Sequence, residues 1–430
     1  MKRNVIKSIT ENKKKIFKIT FIVICVIGIS PIAFFGGWIV VNQIRPAPEW
    51  TYDPILELDH WTVVEASKDP KYQHNSNTDM IFYDGFFYLI YQQSKWHLQD
   101  TNGSLVVAKS PDASVGSWEE LARIQIPGTD VRDPKFANIN GRLFVYFLPN
   151  DYFDPGPTTT YYCYSDDGFE TFTTPEEMKV NVEHQYSNGT IASDLTPGWC
   201  FWRPKTQDDI TWYVIAFGKE YQGLGVELDY PITALLSSND GLNWTEVSKV
   251  YSGAGNGEPC LEFLPSGEFI ATLRVTSMGI PGYALGNPQG NTMICTSYNS
   301  FQNWSYAPDF QTRLDGATLF SINGRIFGVG RNHMGPAKDL GNHFKPKRTS
   351  FYEIKSDKLI HLFDLPSTGD TAYTGVVIKD GWIYTSYYTN PIHKEFAWFI
   401  GLAFRPESEI RIARVSVSGL LAFADIIGSE

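Results

Sequence analysis

The chain alternates short apolar runs with tight polar turns, and the same arrangement returns six times. Each occurrence is an apolar run, a turn, and a second run rich in β-branched and aromatic residues: MIFYDGFFYLIYQ, PKFANINGRLFVYF, PKTQDDITWYVIAF, CLEFLPSGEFIATLR, TLFSINGRIFGVGR and GVVIKDGWIYTSYY. Runs of this length and composition, bounded by Asx-Gly or Ser-Gly, predict β-hairpins. Five of the turns carry glycine, at Gly85, Gly141, Gly267, Gly324 and Gly381, and the third carries Asp208-Asp209 instead. Glycine there supplies the positive φ that a two-residue primed turn demands.

Gly85 to Gly141, Gly267 to Gly324 and Gly324 to Gly381 are each separated by about 57 residues, a period that suits four-stranded propeller blades. The expectation is an all-β fold, a six-bladed β-propeller. A second mark recurs behind the hairpins, with a Ser, an Asx two residues on and a Trp near the end, in the segments from Ser110 to Trp118, Ser237 to Trp244 and Ser297 to Trp304. Ser165-Asp166-Asp167-Gly168 with Phe172 is a looser copy. The Asx side chain can close a turn on its own backbone while the Trp packs the hairpin.

Ahead of the repeats the pattern changes. No residue between Lys18 and Arg45 is charged, and the apolar stretch 19–41 is long enough to span a hydrocarbon core. A cleaved signal peptide competes with an uncleaved anchor for this segment, and the absence of an Ala-x-Ala-like site favours the anchor. Residues 1–18 are basic, which predicts a cytoplasmic N-terminus and an extracytoplasmic C-terminal domain. Residues 42–54, with three prolines, read as a stiff tether, and residues 55–430 as the propeller domain.

Charge and cysteines then narrow the classes. A net charge of -11 argues against nucleic acid as a partner. Cys163, Cys200, Cys260 and Cys295 form no Cys-x-x-Cys pair, and disulfides or buried hydrophobes are both open to them. His74, His97 and His333 lack His-x-x-x-His spacing, so neither a metal nor a cofactor is expected.

With its hairpins and Ser-x-Asx turns the chain resembles the sialidase superfamily, whose six-bladed propellers carry Asp-boxes; the likeness runs from about Asp79 to Tyr388. In GEPCLEFLPSGEFIATLR the resemblance implies that Glu258 is the family's Glu and Arg274 its second carboxylate-binding Arg. Arg331, at the same offset from its turn glycine, resembles the third Arg, and Asp315 opens the same hairpin. DTAYTGVVIKDGWIYTSYY nominates Tyr373 as nucleophile, with Glu258 as the base a phenol of pKa near 10 needs at neutral pH. Asp100, in the loop after the first hairpin, falls in the acid/base position.

The family's first Arg should lie near residues 76–79, where the sequence reads SNTD. Arg132 and Arg203, opening the second and third units, are the substitutes on offer. NTDMIFYDGFFYLIYQQ and VRDPKF also resemble five-bladed fructan and arabinan hydrolases, a reading in which Asp79 is nucleophile or base, Glu258 the acid, and Asp133 tunes its pKa. The resemblance implies a membrane-anchored, exo-acting, retaining glycoside hydrolase with a glycan substrate. Its competitor is a propeller that binds glycans or a protein without catalysis.

Overall fold

The computed structural model describes residues 18, 30, 33–41, 45–97, 100–150, 159–185, 191–222, 226–252, 256–275, 290–298, 300–334 and 345–429. Within these, the repeating hairpins close into a β-propeller built from five four-stranded antiparallel sheets and one seven-stranded sheet. The inner strands of the five regular blades are His74–Tyr83, Asp130–Ile139, Asn256–Phe263, Asp315–Ile322 and Thr371–Lys379. Their neighbours follow in sequence toward the rim, as in His74–Tyr83, Phe86–Ser94, Ser104–Ser110 and Glu119–Ile124.

The ring is closed by the two ends of the domain. Asp59–Val64 pairs antiparallel with Glu409–Ser416, so the last blade takes its outer strand from the start of the propeller. A blade completed this way resists opening, because separating it breaks a strand ladder as well as an apolar interface.

The turns behave as their residues dictate. Gly85, Gly141, Gly324 and Gly381 have φ of 83°, 81°, 74° and 79°, and the Asx before each is also left-handed, as in Asp84 at 45° and Asn140 at 55°. Two successive positive φ values make the primed turn whose twist matches the flanking strands. The Ser-x-Asp turns also close locally. Asp240 Oδ1 accepts from the Leu242 and Asn243 amides at 2.8 Å each, and Trp244 is buried with its Nε1 donating to the Gly241 carbonyl at 3.0 Å.

Two expectations are corrected. Six equal blades become five, because the third unit sits in a sheet ordered Ile191–Thr196, Val180–Gln185, Trp244–Ser252, Val226–Ser238, Trp212–Gln222, Trp199–Phe201. In it Val180–Gln185 runs parallel to Trp244–Ser252, a pairing that hairpin repeats never produce. The chain also carries helices, Trp398–Phe404 and Val417–Ser429, which lack a signal of their own among so many β-type runs. Of the two states open to the cysteines, the structure has the buried one: all four described cysteines are free and buried, and burial pushes the Cys163 thiol up to about 12.

No helix among the described residues is long and apolar enough to cross a membrane. The expected span 19–41 lies mostly outside the described residues, and its end, 33–41, is helical.

Candidate functional site

Each regular inner strand is interrupted by a register shift at the same place, between Ser76 and Asp79, Arg132 and Lys135, Gly257 and Cys260, Asp315 and Thr318, and Ala372 and Gly375. A bulge re-aims the side chain it carries and costs the strand a ladder position. Here the re-aimed residues are left-handed: Asn77 (φ 50°), Asp133 (52°), Glu258 (42°), Gly316 (58°) and Tyr373 (51°). A non-glycine side chain held in this region is strained, and four of them at equivalent positions mark a functional arrangement. The shared bulge turns one residue per blade toward the axis.

Two of these residues are in direct contact. The Tyr373 hydroxyl donates to Glu258 Oε1 at 2.5 Å, and the Gly316 amide donates to Glu258 Oε2 at 2.8 Å. Arg274, whose strand pairs with that of Glu258, forms an ion pair with the same carboxylate. Gly316 is required by space as well as by φ, since a Cβ there would stand 2.7 Å from the Tyr373 ring. Tyr373 is 8 % exposed and Glu258 7 %, so the pair lies at the bottom of the mouth. Burial raises the Tyr373 phenol well above its ordinary pKa, and the Glu258 charge raises it further, against the pull of Arg331 and Arg274. At rest the phenol therefore keeps its proton and lends it to the carboxylate, the arrangement of a nucleophile beside its base.

Arg331 stands with its guanidinium 5.0 Å from the centre of the Tyr373 ring. It donates to the Thr371 carbonyl at 2.8 Å, Asp370 at 3.1 Å and the Tyr388 hydroxyl at 2.9 Å. Asp315 lies behind it, fully buried. Burial alone would raise its carboxyl, but Arg313, in a bidentate pair at 2.9 Å, and His333 at 2.8 Å hold it well below the usual range. Asp315, expected from the sequence to bind substrate, is thus engaged by Arg313 and His333.

Asp133 accepts from Asn77 Nδ2 at 2.8 Å and remains partly accessible. Burial raises its carboxyl, Lys135 opposes this, and the Glu258 charge adds to it.

The two substitutes for the missing first Arg are buried and paired with carboxylates. Arg203 pairs with Asp79 and donates to Thr318 Oγ1 and the Thr374 carbonyl, both at 3.0 Å. Asp79 is 0 % exposed, and its oxygens also accept from the Met80 amide at 2.6 Å and the Phe136 amide at 2.8 Å. Two residues past the bulge, Asp79 and its Arg203 partner tie inner strands together through Phe136, Thr318 and Thr374. Arg132, 4 % exposed, is engaged by Asp130 and by the His97 carbonyl at 2.9 Å. Of the expected arginines, Arg274 keeps the most accessible side chain, 29 %.

Asp100 is held by its own loop, with one oxygen accepting from the Lys95 amide at 2.7 Å and the other from the Asn102 amide at 3.0 Å. It caps a turn, as Asx residues beside Asn-Gly do.

Trp202 and Tyr388 escaped sequence reasoning, yet both border Tyr373, with ring centroids at 6.1 and 6.2 Å. A signal for Tyr388 exists. Asn77, Asp133, Gly316 and Tyr373 each precede their turn glycine by eight residues, and Arg274, Arg331 and Tyr388 each follow theirs by seven. Counting from the turn glycines finds Tyr388, while Glu258 precedes Gly267 by nine residues and Trp202 belongs to a unit without a turn glycine.

No protein-family description matches the chain, and no curated protein sequence does. Solved structures do match in fold. A protein of unknown function from Dyadobacter fermentans is 14% identical at TM-score 0.55, with 84% of this chain and 99% of that one covered. Phage phi92 endosialidase is 11% identical at 0.56, covering 84% and 69%. Trypanosoma rangeli sialidase bound to a difluoro-nononic acid is 11% identical at 0.58, covering 86% and 60%, so this chain spans about three fifths of that protein's length. At these identities the likeness establishes a sialidase-like propeller fold.

Proposed function

We propose that this chain is a retaining glycoside hydrolase of sialidase-like type, acting on an acidic or related terminal sugar. The observation that carries the reading is the Tyr373 hydroxyl on Glu258 at 2.5 Å, at the floor of the propeller mouth. In the proposed reaction Tyr373 attacks the anomeric carbon as Glu258 takes its proton, the leaving oxygen is protonated by an acid, and water then releases the sugar with net retention.

Asp100, with both oxygens bonded to its own loop, is poorly disposed to be that acid. Asp133 suits it better, since a general acid must hold its proton until transfer, and burial favours the protonated form there. Arg274 supplies the accessible cation for an acidic substituent. A surface location is part of the same proposal and is supported by the uncharged apolar run 19–41 behind a basic head.

The five regular blades favour a second reading, the fructan- or arabinan-hydrolase type, in which Asp79 attacks. The complete burial and engagement of Asp79 is why the first is preferred.

The test is turnover by the full-length chain on aryl sialosides, uronosides and neutral glycosides, with product stereochemistry followed by NMR. Release of one sugar class with retention is expected. Absence of turnover on all of them, with glycan binding intact in Glu258→Gln, would convert the protein to a binding module.

The pH profile gives a second check. An acid with a raised pKa keeps activity high at low pH and lets it fall as pH rises through that pKa. Asp133→Asn should therefore lower kcat about 10²- to 10⁴-fold on poor leaving groups and abolish this basic limb. A profile unchanged in Asp133→Asn returns the role to another carboxyl.

A further inference from the structure

Beside the Tyr373 site, three buried side-chain atoms that can ligate a metal converge, from His74, His97 and Asp370. His74 opens its strand and is 1 % exposed. Its Nδ1 lies 2.9 Å from the Pro406 carbonyl oxygen and 2.9 Å from Ser408 Oγ. A carbonyl only accepts, so Nδ1 carries the ring proton and Nε2 presents a lone pair. That Nε2 is buried and bonded to nothing.

His97, from the loop after Phe86–Ser94, places its Nδ1 2.7 Å from Asp370 Oδ2. The two atoms form a close ion pair, which leaves His74 Nε2 as the group of the three with no partner. One ligand atom from each of His74, His97 and Asp370 lies within 4.8 Å of the others. A buried imidazole lone pair without a donor costs free energy, and here it faces a second imidazole and a carboxylate at ligand distance.

We infer that His74, His97 and Asp370 form a binding site for a divalent transition-metal cation of the zinc type. Two imidazoles and a carboxylate are a donor set that zinc takes readily, with a fourth position left open to water or a ligand. The supporting contacts are also in place. The Pro406 carbonyl fixes the His74 tautomer, and Asp370 Oδ1 accepts from Trp398 Nε1 at 2.9 Å and from Arg331 at 3.1 Å, which orients the other oxygen.

Charge does not oppose the assignment. Arg331 and Arg132 stand nearby, but each is already paired with a carboxylate, Asp370 and Asp130. Sequence spacing could not reveal this set, since its members come from a strand start, a loop and the approach to the last inner strand. It rests on no part of the catalytic reading, and an inactive protein could still bind metal here.

The test titrates zinc into the full-length, chelator-stripped chain by calorimetry and follows cobalt substitution by visible absorption. One equivalent of zinc should bind, cobalt should give the ligand-field bands of a low-coordinate site, and the melting temperature should rise with zinc. His74→Gln and His97→Gln should each weaken zinc binding at least tenfold and remove the thermal shift. His97 is the safer variant because its side chain is 14 % accessible. Failure of the wild type to bind stoichiometrically, or equal affinity in folded His97→Gln, would mean that His97 and Asp370 are an ion pair alone.

Discussion

Replacing Tyr373 with Phe should reduce kcat by about 10⁴-fold or more while leaving the fold and substrate affinity nearly unchanged. The phenol oxygen is the one atom the substitution removes, and its only described hydrogen bond is to Glu258. The ring still packs against Gly316 and under Arg331, so the cavity keeps its shape. Glu258→Gln should cost about 10²- to 10⁴-fold, because an amide neither takes the phenol proton nor balances Arg274. The double variant should be no slower than Tyr373→Phe alone, since the two groups act as a unit. Single-turnover kinetics with an activated aryl glycoside measures all three. Additive losses would place Tyr373 and Glu258 in separate roles and remove the nucleophile-base assignment.

The same pair shows what the sequence discloses and what it withholds. Glu258 and Tyr373 are far apart in the chain, yet a repeat anchored on turn glycines is enough to predict that both reach one axis. Arg274 and Arg331 follow from the same offset. The surroundings of Asp79 are hidden from the sequence because a strand alternates faces, and the bulge at residues 76–79 shifts that alternation without leaving a mark in composition. The residue that faces the mouth is Asn77, and Asp79 belongs one layer deeper. The parallel pairing in the seven-stranded sheet, and the ligands His74, His97 and Asp370, depend on contacts between distant segments that no local pattern encodes. Asp100 illustrates the opposite limit, where a loop carboxylate next to Asn-Gly is more economically explained by its own turn.

Removing the Asp79 carboxylate should have the largest effect on stability. Asp79→Ala leaves the Arg203 guanidinium buried and uncompensated, and losing one partner of such a pair costs about 3–5 kcal/mol. The Met80 and Phe136 amides lose their acceptor at the same time, at about 1–3 kcal/mol each where water cannot enter. Because Arg203 also holds Thr318 and the Thr374 carbonyl, the damage spreads to the inner strands that carry Gly316 and Tyr373. Urea denaturation should show a markedly lower midpoint for Asp79→Ala, and Asp79→Leu combined with Arg203→Met should recover much of the loss, since an apolar pair asks for no compensation. Activity separates this role from the rival one. If Asp79 were a nucleophile, Asp79→Asn would abolish turnover at nearly unchanged stability; as an axial tie, it should lose stability first and retain turnover in whatever fraction stays folded.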